Sequence, residues 1–272
     1  MRAVILTFHA IRCGEGYANN DHIAFDETLA QLCALKLPIR PLHEYVAALT
    51  NPILRWRLPS KFVVLTCDDG EISEVKTKTS AQGLQTLSFA ALQQKYLRQQ
   101  ALISGTLHLT SFVIASANAR RQICPDGVLA DDWWREAALS PLMAIENHSW
   151  DHCHMDVAEI AQHAQRKGTF EGVDNYADAD KQIRQAARTI DALIAPAKTS
   201  LFAYPYGDTN AYLIEEYFPR FQTEHKMKAA LTTAPNPVTK HTNRWAMPRY
   251  VCGHHWKSSD ELRHLLKDAT II

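Results

Sequence analysis

Short apolar, β-branched runs alternate along the chain with segments whose apolar positions recur every three to four residues. Residues 3–8 and 61–67 read as strands buried on both faces, and 106–115, 141–146, 200–204, 227–232 and 247–252 read the same way. Between them, 26–35 carries Leu29, Leu32, Cys33 and Leu35 at helical spacing behind Asp26 as its N-cap. Residues 84–99 also have a helical period. Residues 177–195 place Ile183, Ala186, Ala187, Ile190, Leu193 and Ile194 on one face, and Pro196 stops that helix. A last helix over 259–266 follows Ser258-x-x-Glu261, which reads as a capping box. Residues 70–83 are polar and predict an exposed loop.

Strands alternating with helices predict an α/β fold with a mostly parallel sheet. About seven such units, without an internal repeat or low-complexity linker, predict a distorted (β/α) barrel of about seven parallel strands in a single domain over residues 1–272. With 272 residues, 46% of them hydrophobic, the chain can bury a full core.

Lys plus Arg equal Asp plus Glu at 29 each, and the pI is near 7.2. That balance leaves no electrostatic footprint for nucleic acid or an anionic membrane, so partners must be read from the site. No run approaches the roughly 18 apolar residues of a membrane span. The run Ala3–Phe8 is too short for a signal peptide and lacks a small-residue cleavage site, so the expected location is cytoplasmic. Oligomeric state has no signature in the sequence. Cys13, Cys33, Cys67, Cys124, Cys153 and Cys252 lack paired spacing, and several sit in apolar runs, which reads as free thiols.

Three constellations carry chemistry. His148-Ser149-Trp150-Asp151-His152 sets two histidines at i and i+4, where one face of a helical turn lets them share a cation; two packed or solvated histidines are the alternative. Thr66-Cys67-Asp68-Asp69-Gly70 ends an apolar strand, so neighbouring carboxylates point different ways, one toward a cation and one toward a substrate; a solvated turn is the alternative. Phe202-Ala203-Tyr204-Pro205-Tyr206-Gly207-Asp208 leaves a later strand and offers a backbone N–H and aromatic faces, or only a packed turn.

Thr-x-Asp-Asp-Gly, then His-Ser-x-x-His, then Phe-Ala-Tyr-Pro-Tyr-Gly, in that order, resembles the successive motifs of the polysaccharide deacetylases of the NodB-homology type, carbohydrate esterase family 4. The resemblance runs over roughly residues 3–255 and includes Phe8-His9 and Ile145-Glu146-Asn147-His148. It implies a hydrolase that removes acetyl groups from an N-acetylated sugar or oligosaccharide. In that reading Asp68 is the catalytic base, and Asp69, His148 and His152 hold one divalent metal ion. Zinc suits two histidines and a carboxylate, as do cobalt, nickel and iron. The cation and the Tyr206 backbone N–H would stabilise the oxyanion.

The sequence departs from the family pattern in two places. Where the family has an Arg that orients the catalytic Asp, this chain has Ala203, and Arg249 in Met247-Pro248-Arg249 is the candidate to replace it. The family's Leu-x-His, which supplies the general acid, is matched in letters by Leu262-Arg263-His264, but inside a helix-period segment. His9, at the end of the first strand, is the preferred general acid, with His254 and His255 as alternatives. Trp133 and Trp134 read as packing residues, and Trp150 as a cleft residue that meets the substrate. A hydrolase of a non-sugar amide or ester would show the same metal set and base. A catalytically inactive metal- or glycan-binding module is the reading from another class.

Overall fold

A computed structural model of the chain describes residues 1–79, 85–98 and 106–272. Its main sheet contains β1 (Arg2–Phe8), β2 (Lys61–Cys67), β3 (Leu109–Val113), β4 (Met143–Asn147), β5 (Leu201–Ala203), β6 (Ala229–Leu231), β7 (Val238–Thr239) and β8 (Tyr250–Val251). Seven of these run parallel in the order β8-β1-β2-β3-β4-β5-β6, while β7 pairs antiparallel with the start of β1. The sheet curls until the segment before β8 meets β6: Met247 N–H donates to Ala230 O (2.9 Å) and Thr232 N–H to Met247 O (2.8 Å). The result is a single-domain, barrel-like α/β fold.

Period-two alternation divides each strand between two cores. Val4, Leu6 and Phe8 of β1 and Val63, Leu65 and Cys67 of β2 pack outward against the helices. Ala3, Ile5, Phe62, Val64, Phe112, Leu201, Ala203 and Leu231 fill the interior, and Leu42, Tyr45 and Val46 of helix Leu42–Thr50 plug its lower end. Glu146 ties β4 to β5, where only one residue pair is in register: its carboxylate accepts from Ser200 N–H (2.6 Å) and Leu201 N–H (2.8 Å). Burial, partly opposed by those donors, pushes Glu146 up to about 8.

Several local expectations change. The first long helix is Asp21–Ala34, capped by Asn20 and not Asp26, because the Asn20 side chain accepts from the His22 and Ile23 N–H groups. The helix expected over 84–99 begins at Phe89, later than the period suggested, since Gln85–Thr86 pairs antiparallel with Lys78–Thr79. Residues 80–84 and 99 of the expected loop and helix lie outside the described residues. The start of that loop is not exposed: Glu71, Ser73 and Glu74 are buried, with Ser73 N–H bonded to Glu71 (3.0 Å). The helical stretch 176–194 contains a π-helical turn at Asp180–Gln185. At Ser259–Asp268 the Ser258 hydroxyl accepts from Glu261 N–H, while Glu261 reaches back to Lys257 N–H, one residue before the cap. All six cysteines are free, and Cys67, Cys153 and Cys252 are buried. Trp133 and Trp134 are buried in the outer core. Among the described residues no helix is long and apolar enough to cross a membrane.

Candidate active site

The alternation that fills the barrel also equips its upper mouth. On β1 the inward series Ala3, Ile5, Thr7 leads to His9, and on β2 Phe62, Val64, Thr66 leads to Asp68. The strands run in register from Arg2↔Lys61 to Phe8↔Cys67, Thr7 and Thr66 share a hydroxyl hydrogen bond (2.8 Å), and Asp68 N–H donates to Phe8 O (3.1 Å). His9 and Asp68 therefore arrive side by side, and β4 delivers His148 by the same count after Glu146. His9, Asp68, Asp69, His148, His152 and Tyr206 all line one cleft of about 430 Å³ at the C-terminal ends of the strands, where barrels of this kind carry their sites.

Asp68 is nearly fully buried and is gripped by Arg249, itself wholly buried. The two terminal guanidinium nitrogens donate to the two carboxylate oxygens at 2.7 and 2.8 Å, and Nε donates to Thr232 O at 3.1 Å. Burial alone would raise Asp68, but the charge of Arg249, then His148 and the Arg249 hydrogen bonds, hold it at about 2. The carboxylate is thus ionised and fixed in orientation at neutral pH. Arg249, the residue before β8, places beside Asp68 the cation that Ala203 cannot. The Ala203 position contributes its carbonyl instead, which accepts from His148 Nδ1–H (2.9 Å).

Asp69 turns out of the strand at φ 75°, followed by Gly70 at φ 77°. A side chain at Gly70 would meet Val113 Cγ1 at 2.7 Å, so both the turn and the packing require glycine there. The Asp69 carboxylate faces His148 Nε2 at 3.6 Å and His152 Nε2 at 3.7 Å. One ligand atom from each of the three lies within 4.8 Å of the others. The donor set fits a divalent cation. His148 Nδ1–H donates to the Ala203 carbonyl, so Nε2 is the ring nitrogen turned toward the Asp69 carboxylate and available to a cation. Burial, followed by neighbouring His148, holds His152 down at about 3, so its imidazole is neutral. One carboxylate and two imidazole nitrogens leave room for a water and a substrate oxygen around a cation.

The expectation that His148 and His152 sit on a helical turn is not met. Residues 148–153 form a loop with positive φ at Ser149 (76°), His152 (62°) and Cys153 (47°). Side chains replace the missing helical hydrogen bonds: Asn147 Oδ1 accepts from Ser149 N–H, Ser149 Oγ from His152 N–H, and Asp151 Oδ1 from Cys153 N–H, all at 2.9 Å. Buried Gln182, from the π-helical turn, accepts from Trp150 N–H (3.1 Å) and donates to Asp151 (2.8 Å). Nothing in the sequence pattern marked Gln182 as the support of this loop.

The reversal at Ser149 also moves Trp150. Its side chain points away from the cleft into a separate surface depression beside Ser116 and Arg188, with Lys181 Nζ 3.2 Å from the ring centroid. The reading of Trp150 as a cleft residue is therefore corrected. Tyr206 does reach the cleft. It sits at φ 60° with its ring 4.5 Å from that of His152, and its N–H has no hydrogen-bond acceptor among the described residues. Gly207, at φ 76°, is required there, because a Cβ would come 2.0 Å from Thr233 Oγ1.

Of the histidines weighed as general acid, His9 and His254 line the cleft. His255 does not; its Nδ1 accepts from Val251 N–H (2.7 Å). His264 is exposed on helix Ser259–Asp268, away from the site. The backbone of His9 is anchored by Asp21, which accepts its N–H (2.5 Å) and pairs with Arg12 (2.9 Å). Arg12 reaches on to Cys252 O (2.7 Å), tying the loop after β1 to the loop after β8. This clamp, too, had no signature in the sequence.

Comparison with curated proteins gives no match. Among solved structures the chain is similar to Streptococcus pyogenes deacetylase PplD in complex with acetate (TM-score 0.62, 15% identity, 97% of this chain and 98% of that one). It is also similar to a de-N-acetylase from Aggregatibacter actinomycetemcomitans (TM-score 0.62, 14% identity, 98% and 100%). A third is the BpsB deacetylase domain from Bordetella bronchiseptica (TM-score 0.59, 14% identity, 92% and 96%). At such identities the likeness speaks for the fold. The family model for polysaccharide deacetylase matches residues 56–217, more than half the chain and the stretch that carries Asp68, Asp69, His148, His152 and Tyr206, so the chain belongs to the polysaccharide deacetylase family.

Proposed function

We propose that this protein is a metal-dependent deacetylase that hydrolyses the acetamide of an N-acetylated sugar. The observation that carries the reading is the placement of the Asp69, His148 and His152 ligand atoms beside the buried Asp68–Arg249 pair, in the cleft of a polysaccharide deacetylase fold. The similar fold of PplD, in complex with acetate, agrees with acetate as a product.

Asp69, His148 and His152 would hold the cation, with zinc the best fit to the donor set. When bound, it polarises the amide carbonyl and makes water a better nucleophile near neutral pH. Asp68, kept ionised by Arg249, accepts a proton from the attacking water as the water oxygen bonds to the carbonyl carbon. The Tyr206 N–H donates to the carbonyl oxygen as negative charge collects there. His9 then protonates the nitrogen as the C–N bond breaks, giving acetate and a free amine. Arg249 meets neither substrate nor cation; it orients the base.

Acetate release from N-acetylglucosamine oligomers by the zinc- or cobalt-loaded protein tests the reading, beside Asp68→Asn and His148→Ala. The expected result is wild-type turnover with both variants near background. Wild-type turnover no higher than either variant, on sugars and simple amides alike, overturns the enzymatic reading. Turnover of simple amides alone would replace the sugar with a non-sugar amide.

A further inference from the structure

The overall balance of 29 cations and 29 anions conceals a division along the barrel axis. The loops at the cleft end are acidic. Residues 68–78, after β2, carry four carboxylates and two lysines, and residues 148–175, after β4, carry five carboxylates against Arg166 and Lys167. The opposite end, where the parallel strands begin, is basic. Residues 36–61 carry five Lys or Arg and one acid, Glu44, while residues 226–244 carry four Lys or Arg and no acid.

Strand register gathers these cations on one rim. Arg2 of β1 faces Lys61 of β2 on one side and Thr239 of β7, next to Lys240, on the other. Lys228 N–H donates to Ser200 O (2.6 Å) where β5 and β6 begin. Arg57, Lys61, Lys228 and Lys240 are exposed, and among the described residues none of the four makes an ion pair, whereas Arg40 and Lys198 pair with Glu44 and Asp191.

The same end carries the two most exposed large apolar side chains among the described residues, Trp56 (92%) and Ile53 (74%). They project from a corner that is held in place. Asn51 Oδ1 accepts from Ile53 N–H (3.0 Å), Arg55 donates to Ala48 O (2.8 Å) and Leu49 O (3.0 Å), and Leu49 and Leu58 on either side pack against the interior core. An indole and an aliphatic side chain fixed in water beside unpaired cations form the two-part signal of a peripheral membrane contact: an apolar wedge for the headgroup region and positive charge for its phosphates.

From this coincidence we infer that the strand-start face docks the protein on an anionic lipid bilayer, with Trp56 and Ile53 entering the headgroup layer and Arg57, Lys61, Lys228 and Lys240 facing the lipid phosphates. A nucleic acid would meet the same charges, but an isolated indole and isoleucine on a projecting corner make no groove and no series of stacking platforms. Docked this way, the cleft opens away from the bilayer, about 20 Å above it at the rise of a seven-residue strand, and the acidic loops lie on the far side from the anionic surface.

The test is flotation of the full chain with phosphatidylcholine vesicles, with and without phosphatidylglycerol, at low and high salt. It is read without substrate, so it stands apart from the activity of the cleft. The expected result is binding to the phosphatidylglycerol vesicles alone, weakened by salt. Partition should fall about twentyfold in Arg57→Gln/Lys61→Gln, at about fivefold per charge, and about tenfold in Trp56→Ser. Brominated lipid should quench part of the tryptophan fluorescence of the wild type and none in Trp56→Ser, since Trp133, Trp134, Trp245 and Trp256 are buried. All substituted side chains are exposed, and thermal melts check the fold; the charge variant keeps the test decisive if Trp56→Ser loses stability. Absence of binding to phosphatidylglycerol vesicles at low salt overturns the inference, as does binding that both variants retain. Binding to double-stranded DNA as tight as to vesicles, and indifferent to Trp56→Ser, also overturns it and replaces the bilayer with a soluble polyanion.

Discussion

The Asp68–Arg249 pair offers the sharpest thermodynamic test of the site. Both groups are out of water and joined by two short, parallel, charge-assisted hydrogen bonds. Arg249→Met keeps much of the side-chain volume and removes the guanidinium, leaving a buried carboxylate without its partner. Breaking a buried pair in this way costs about 3–5 kcal/mol, against roughly 1 kcal/mol or less for a surface pair. In a chain of this size that lowers Tm by about 10 °C. Asp68→Asn leaves Arg249 charged and half-satisfied, with a loss of similar order. The double variant strands neither charge, so its loss falls short of the sum of the singles by about 2 kcal/mol or more. Urea denaturation of the four proteins in a double-mutant cycle measures that coupling, and acetate release followed alongside should drop at least a hundredfold in Arg249→Met. Stability losses that simply add, or an Arg249→Met protein with wild-type turnover, would refute the claim that Arg249 holds Asp68 in its working state.

Three further outcomes follow from particular contacts. Stripping the protein with a strong chelator should abolish turnover, and a divalent cation should restore it, while His148→Ala should lose high-affinity metal uptake in equilibrium dialysis; turnover indifferent to chelation contradicts the ligand set. Gly207→Ala should lower stability by about 1–2 kcal/mol through its positive φ alone, and further through Thr233, with Gly207→Ala/Thr233→Ala recovering part of the loss in thermal melts. His225 is held down at about 4, first by burial, as Met227 N–H donates to its Nδ1 (2.9 Å) and the opposite nitrogen meets Phe218 O (3.1 Å). The folded state binds that proton less tightly than the unfolded chain, so stability should fall as pH drops from about 6.5 toward 4, by at most about 3 kcal/mol from this residue. His225→Gln should flatten urea midpoints between pH 7 and 4.5; an unchanged slope would place the acid sensitivity elsewhere.

The sequence was most legible where backbone periodicity and chemistry coincide. Apolar runs ending in Asp68-Asp69-Gly70 and in His148 marked strand ends, and period two carries those residues, with His9, into the mouth of the barrel. Ala203 directed attention to a replacement cation, and Arg249 lies where such a cation has to be. The sequence was least legible where side chains stand in for backbone hydrogen bonds. The spacing of His148 and His152 suggested a helix, yet Asn147, Ser149 and Asp151 hold a loop whose reversed turns still direct both imidazoles at Asp69. That same reversal sends Trp150 outward, because a positive φ at one residue redirects the next side chain in a way no periodic pattern encodes.

By itself, then, the chain determined the parallel strand–helix alternation, the carboxylates and histidines that the strand ends bring together, and the absence of the usual arginine, since each follows from local patterning and short motifs. Tertiary structure decided which arginine grips Asp68 across 181 positions of sequence, which histidines share the cleft, and that Trp150 faces a depression outside it. These depend on how far the sheet curls before the segment preceding β8 meets β6, a global closure that brings residues distant in sequence into contact and leaves no trace in any local stretch.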